Sequence, residues 1–148
     1  SIAIGHALAA RLDRRDYRTY VLLGDGEIQE GQVWEAALFA AHHKLTNLTA
    51  IIDVNRYQLD DTTEKIMGIE PIVAKWEAFG WDVRDLDGHD LEALEAAFAW
   101  AREPRAKPAV LVCRTVKGHG VSFMADNNEC HGAPPNDADF ARAMEELA

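Results

Sequence analysis

Short apolar runs alternate with longer amphipathic segments along the chain. The short runs predict four buried strands, at Thr19–Leu23, Leu48–Val54, Trp81–Leu86 and Ala109–Val116. The longer segments repeat apolar residues at helical spacing and predict helices at Ile2–Leu12, Gln32–Lys44, Pro71–Phe79, after Asp90, and through Phe140, Ala143, Met144 and Leu147. Strands separated by helices predict an α/β fold with a mostly parallel sheet flanked by helices.

Two polar segments follow directly after predicted strands. We predict that Asn55–Gly68 is an irregular loop and that Lys117–Asn136 is a second one. Ligands of parallel α/β sheets bind at the carboxyl ends of the strands. The sequence therefore predicts a functional site at these loops.

Composition narrows the class of protein. The 148 residues are 48% hydrophobic, enough for the core of a single domain spanning residues 1–148. With 15 Lys and Arg against 25 Asp and Glu, the net charge is −10, which disfavours binding to nucleic acid and to anionic membranes. The longest apolar runs fall far below the roughly 20 residues of a membrane helix. Only two cysteines, no zinc spacing and no signal-peptide pattern predict a cytoplasmic protein.

The strongest chemical signal is a pair of strand ends that supply oxygen ligands. Gly24-Asp25-Gly26-Glu27 follows the first strand, and Asn55 follows the second one 30 residues after Asp25. Glycines let the backbone approach an anion, and the start of a helix favours negative charge. Mg²⁺, or Ca²⁺ in its place, prefers carboxylate, amide and carbonyl oxygens together with phosphate and water. The spacing therefore predicts a metal-assisted diphosphate site.

These residues resemble the thiamine-diphosphate motif of the transketolase family. The string Gly24-Asp-Gly-Glu-Ile-Gln-Glu-Gly-Gln-Val-Trp-Glu-Ala-Ala37 is similar to transketolases, particularly those whose two halves are separate polypeptides. The resemblance continues through Lys75–Trp81, Asp87–Asp90, Thr115–Gly120 and His131-Gly132, and so covers nearly the whole chain. It implies a thiamine-diphosphate-binding (PP-type) domain that binds the diphosphate of the cofactor.

The resemblance also implies a role for individual residues. Asp25, Asn55 and the carbonyl of Tyr57 would bind the metal, and Gly24, Gly26, Glu27 and Leu59 would contact the cofactor. Lys117 and His131 match positions that approach the diphosphate and the reaction centre. Glu30 and Glu35 match an acidic pair near the dimer interface that couples the two cofactors, although carboxylates at a helix start are also favoured by the helix dipole.

The implied activity is transfer of a two-carbon ketol unit between sugar phosphates, together with a C-terminal (pyrimidine-binding) subunit in a homodimer or heterotetramer. Family members carry about a hundred residues before the position of Ser1, so we expect a section truncated at its front, unable to complete the reaction alone. Two alternatives remain open. One is a non-catalytic fragment or scaffold that retains the fold and dimer surface, and the other is a thiamine carboligase with a different donor.

Overall fold

A four-stranded parallel sheet organises the chain. The computed structural model describes residues 1–148, and its strands are β1 (Thr19–Gly24), β2 (Leu48–Val54), β3 (Asp82–Asp87) and β4 (Ala109–Arg114). Their order across the sheet is β1-β2-β4-β3, and every neighbouring pair is parallel. The predicted α/β fold is therefore confirmed.

Six helices flank the sheet, at α1 (Ile2–Leu12), α2 (Gly31–His42), α3 (Thr63–Met67), α4 (Ile72–Ala78), α5 (Leu91–Arg102) and α6 (Asp137–Glu146). Asp90 starts α5 because its carboxylate accepts the N–H groups of Glu92 and Ala93, both at 3.0 Å. None of the helices is both long enough and apolar enough to cross a membrane.

The two faces of the sheet are covered unequally. The main core packs apolar residues of α1, α2 and α4 against one face, including Ala7, Ala40, Ile52 and Trp76, all at most 1% exposed. On the other face α5 covers a smaller cluster around Ala97, Leu111 and Cys113. Burial on both sides leaves the strand ends as the place where polar groups can gather.

Two predicted boundaries were wrong. The segment 55–68 is not irregular throughout, because Thr62 caps α3 by accepting the N–H of Lys65, and Lys65 pairs with Asp61 one turn earlier. The last strand ends at Arg114 rather than Val116, because the N–H of Val116 donates to Nε2 of His89 at 2.8 Å and not to a neighbouring strand.

The register aligns three strand ends at one edge of the sheet. Gly24 lies opposite Asp53, and Asp53 lies opposite Cys113. The residues that follow β1, β2 and β4 therefore meet at the same level, where the sequence predicts the site.

Candidate functional site

Asp25 is the buried centre of this edge, with only 1% of its surface exposed. Its carboxylate accepts the N–H of Gly26 at 2.7 Å and the N–H of Arg56 at 2.5 Å. The N–H of Asp25 donates to the carbonyl of Asp53 at 3.1 Å. Through Arg56 and Asp53, Asp25 joins the end of β1 to the end of β2.

The electrostatic surroundings of Asp25 lack a positive side chain. Burial raises the pKa of Asp25, the N–H groups of Arg56 and Gly26 lower it, and the nearby Asp53 raises it, with a net increase. None of the ion pairs of the chain involves Asp25. Because a buried carboxylate is costly without an opposite charge, this environment suits a metal cation.

Asn55 is oriented by two neighbours. Its Nδ2 donates to Oδ2 of Asp53 at 3.1 Å, and its Oδ1 accepts the N–H of Tyr57 at 2.9 Å. Asp53 is held in turn by the hydroxyl of Thr115, at the end of β4. An amide fixed at its nitrogen presents its oxygen in one direction, as a metal ligand requires.

The loop after Asn55 has an unusual backbone. Arg56 adopts a left-handed conformation with φ of 70°, which turns the chain sharply. The carbonyl of Tyr57 accepts no hydrogen bond from the chain, so its lone pairs are available to a ligand. Leu59 follows with 71% of its surface exposed, which leaves an apolar side chain beside this turn.

The glycines of the first loop differ in how closely they are packed. A Cβ atom placed on Gly26 would lie 2.9 Å from Cβ of Gln58, whereas one placed on Gly24 would meet no atom within 4 Å. Only Gly26 is therefore required by close approach. The exposed Glu27 turns its carboxylate back to the N–H of Gly24, at 3.2 Å.

Lys117 and His131 lie together although 14 residues separate them. Nζ of Lys117 is 2.9 Å from Nδ1 of His131. Gly118 permits this loop to fold back, because its φ is 70° and a Cβ there would collide with the carbonyl oxygen of Met124. The structure thus brings together the two loop residues that the resemblance singled out.

Asp126 connects the two loops. Its carboxylate pairs with Arg56 at 2.9 Å, its carbonyl accepts the hydroxyl of Tyr57 at 2.8 Å, and its N–H donates to the carbonyl of Lys117 at 2.8 Å. The segment that contains Lys117 is therefore tied to the segment that contains Asn55 and Tyr57.

Glu30 and Glu35 lie apart from this group. Both are exposed at the start of α2, and neither side chain forms a hydrogen bond or ion pair within the chain. Glu35 borders a shallow depression with Ser1, Ile4 and Phe39. Two unpaired carboxylates on one exposed helix start are available to another chain.

Sequence reasoning missed several residues that shape the site. Asp53 could have been found, since it lies two positions before Asn55 and strand alternation puts both on one face. Thr115 and Asp126 carry no local signal, because their partners lie 62 and 70 residues away. His89 was interpreted as part of a turn, yet it also binds Val116 and stacks on His119 with ring centroids 3.8 Å apart.

The donor chemistry fits a hard divalent cation beside a diphosphate. No three His, Cys, Asp or Glu side chains cluster as metal ligands, so a site made only of side-chain carboxylates, thiolates and imidazoles is absent. One buried carboxylate at Asp25, one oriented amide at Asn55 and one free carbonyl at Tyr57 form an all-oxygen set, as Mg²⁺ prefers. Such a set leaves positions for phosphate oxygens and water.

Comparison with known proteins gives matches along nearly the whole chain. Residues 6–148 match the family described as "Transketolase, thiamine diphosphate binding domain". One of the two subunits of apulose-4-phosphate transketolase from Phocaeicola vulgatus is 41% identical over 148 residues, which are 100% of this chain and 53% of that protein. A 6-deoxy-6-sulfo-D-fructose transketolase subunit of a Clostridium species is 38% identical over 147 residues, which are 99% of this chain and 54% of that protein.

Solved structures agree with the sequence matches. Transketolase from Campylobacter jejuni superposes with a TM-score of 0.92 at 30% identity, covering 98% of this chain and 24% of that one. Transketolase from Leishmania mexicana gives a TM-score of 0.87 at 32% identity, covering 98% and 22% of the two chains. The chain spans about half the length of the two subunits it matches and about a quarter of the solved transketolases.

Proposed function

The chain belongs to the transketolase family, as a thiamine-diphosphate-binding domain of its N-terminal part, and we propose that it acts as the N-terminal section of a two-chain transketolase. The carrying observation is the 41% identity over all 148 residues to a protein that is itself named as one subunit of a transketolase. A partner chain with the pyrimidine-binding domain would complete the active site. The proposed reaction is transfer of a two-carbon ketol unit between sugar phosphates.

Asp25, Asn55 and the carbonyl of Tyr57 are the proposed ligands of Mg²⁺. The buried, unpaired charge of Asp25 supports this assignment, because a cation would offset both its burial and the repulsion between its carboxylate and a diphosphate. Asp53 would act through Asn55 by fixing its amide.

Gly24, Gly26 and Glu27 form the proposed turn around the diphosphate. The absence of a Cβ at Gly26 supports close approach of an anion to its backbone. Glu27 would hold the turn through the N–H of Gly24 rather than touch the anion itself. The exposed Leu59 is the proposed apolar contact of the cofactor ring.

Lys117 and His131 are the proposed polar groups facing the reaction centre. Lys117 supplies a positive charge to the diphosphate, and His131 holds or moves a proton at Nε2, since Nδ1 faces the Lys117 ammonium. Thiamine diphosphate, when bound, supplies the electron sink that stabilises negative charge on the substrate carbon.

Glu30 and Glu35 are proposed to lie at a subunit interface, because both carboxylates are exposed and unpaired. Sedimentation of the Glu30→Gln, Glu35→Gln double variant with its partner chain tests this role. Assembly should weaken or change its pH dependence, and an unaltered assembly would remove both residues from the interface.

The function itself is tested by reconstitution. The purified chain is mixed with a pyrimidine-domain subunit from the same genome, thiamine diphosphate and Mg²⁺, and ketol transfer is followed with ketose phosphate donors and aldose acceptors. Turnover only with both chains supports the two-chain transketolase. Cofactor binding without turnover for any donor would favour the non-catalytic scaffold, and turnover with a donor other than a sugar phosphate would favour a different carboligase.

A further inference from the structure

Two buried amide oxygens of the site have no hydrogen-bond donor. Four buried side-chain polar atoms in the chain lack a partner, namely Gln58 Oε1, Asn128 Oδ1, Trp76 Nε1 and Arg105 Nε. The first two flank the loop that contains Tyr57 and Leu59, because Nδ2 of Asn128 donates to the carbonyl of Leu59 at 3.4 Å. Most buried polar atoms in proteins are paired, so an unpaired acceptor indicates where a ligand or water donates.

Gln58 is held firmly against the first loop. Its N–H donates to the carbonyl of Asp61 at 3.0 Å, and a bridge between Tyr57 and Thr62 closes the same turn. Oε1 of Gln58 lies 3.5 Å from the position that a Cβ on Gly26 would occupy. The unpaired oxygen therefore lies across the glycine of the proposed diphosphate turn, one residue after the proposed metal ligand Tyr57.

The chemistry of the missing donor is restricted. An amide oxygen accepts hydrogen bonds and a diphosphate oxygen of the ionised cofactor also accepts, so the two cannot pair directly. Mg²⁺ retains water molecules when protein and phosphate oxygens do not fill its six positions. Such a water is a strong donor, because the cation polarises it.

Resting on the proposed function, we propose that Gln58 is a cofactor-positioning residue whose Oε1 accepts a hydrogen bond from a water molecule of the bound divalent cation. Gln58 thereby orients the hydrated cation against Asp25 without coordinating it. The interaction exists only when cation and diphosphate are bound, which explains why the oxygen is unpaired in the chain alone.

The test compares three substitutions by calorimetric titration with thiamine diphosphate in the presence and absence of Mg²⁺. Gln58→Met keeps the length of the side chain and removes the acceptor, so the metal-dependent Kd should rise about tenfold. Gln58→Glu keeps an acceptor, so its Kd should stay within about threefold of the unmodified chain. Gln32→Met makes the same change at an exposed position of α2 and should leave the Kd unchanged.

Thermal unfolding without cofactor supplies a second readout. Gln58→Met should be at least as stable as the unmodified chain, because it removes a buried acceptor that has no partner. Lower stability of this variant would show that the oxygen is satisfied without ligand and would overturn the proposal.

Three binding results also contradict it. Unchanged affinity of Gln58→Met would mean that no donor reaches Oε1. Loss of binding in Gln58→Glu equal to that in Gln58→Met would mean that the amide donates to the diphosphate instead. Absence of metal-dependent binding in the unmodified chain would overturn the proposed function together with this inference.

Discussion

The ammonium group of Lys117 lies 2.9 Å from Nδ1 of His131. An ammonium group has only donors, so Nδ1 must accept and the imidazole proton resides on Nε2. Lys117 thus selects the tautomer of His131 as well as placing positive charge at the site. The two loop residues form one unit, and each can be tested separately.

Replacing Lys117 should affect both cofactor binding and the His131 tautomer. For Lys117→Met we expect the Kd for thiamine diphosphate with Mg²⁺ to rise about tenfold, corresponding to about 1.4 kcal/mol, because a cation beside the anion is lost. Nitrogen NMR of His131 should show Nδ1–H appearing. Lys107→Met, at a lysine that pairs only weakly with Asp82 at 3.8 Å, is the control, and equal behaviour of the two variants would exclude a role for Lys117.

Replacing His131 should affect turnover more than binding. In the assembled enzyme, His131→Gln should lower kcat about 100-fold, because proton transfer at Nε2 is lost. The Kd for thiamine diphosphate should change by no more than about threefold. His43→Gln alters an exposed histidine of the α2 terminus and serves as the control. Turnover of His131→Gln at the rate of the unmodified enzyme would remove His131 from the chemistry.

Adding one methyl group at Gly26 should damage the site. In Gly26→Ala the new Cβ would lie 2.9 Å from Cβ of Gln58, so one of the two loops must shift. Such overpacking costs about 1–3 kcal/mol of unfolding free energy, and cofactor affinity should fall with it. Gly31→Ala meets no atom within 4 Å and lies in the first turn of α2, where alanine should preserve or slightly raise stability.

Thermal unfolding and cofactor titration of both glycine variants check this prediction. Gly26→Ala with the stability and affinity of Gly31→Ala would mean that Gln58 moves aside freely. Close contact at Gly26 would then have no bearing on cofactor binding.

Periodicity was sufficient to predict the fold, because each strand here is short, apolar and separated from the next by an amphipathic helix. Leu48–Val54 was predicted with its observed bounds, since it is buried on both faces and followed by polar residues. The α3 helix was missed because it is only five residues long and depends on the Thr62 cap. Local pattern is weakest where a short element rests on one side chain.

The strand-end ligands were visible in the sequence, but the joining of the loops was not. Asp25 and Asn55 follow strands, so parallel topology brings them to one edge. Asp126 reaches Arg56 across 70 residues, and both adopt left-handed backbone conformations, with φ of 56° and 70°. Neither the distance nor the conformation leaves a periodic signal, so only the structure reveals how Lys117 is positioned.

Metal binding should depend on pH through Asp25. Burial raises the pKa of Asp25 above the ordinary value of about 3.9. The unliganded fold therefore favours the protonated carboxyl, and its stability decreases as pH rises from the unfolded pKa toward the folded pKa. A cation needs the ionised form, so Mg²⁺ affinity should fall on acidification at a higher pH than for an exposed aspartate.

Titration of Mg²⁺ at saturating thiamine diphosphate from about pH 8 to about pH 5 checks this dependence. A parallel titration of Mg²⁺ with free cofactor corrects for ionisation of the diphosphate. Affinity that stays constant over the whole range after this correction would contradict a raised pKa at the metal ligand.

Calorimetric titration of the purified chain with thiamine diphosphate, with and without Mg²⁺, tests the metal-assisted diphosphate site most directly. Binding should require Mg²⁺, and Asp25→Ala should abolish it, because the buried charge that faces the cation is lost. Asn55→Ala should weaken it as well, and circular dichroism of both variants establishes that they remain folded. Equal affinity with and without Mg²⁺, or unchanged binding by a folded Asp25→Ala, would contradict the site built on Asp25 and Asn55.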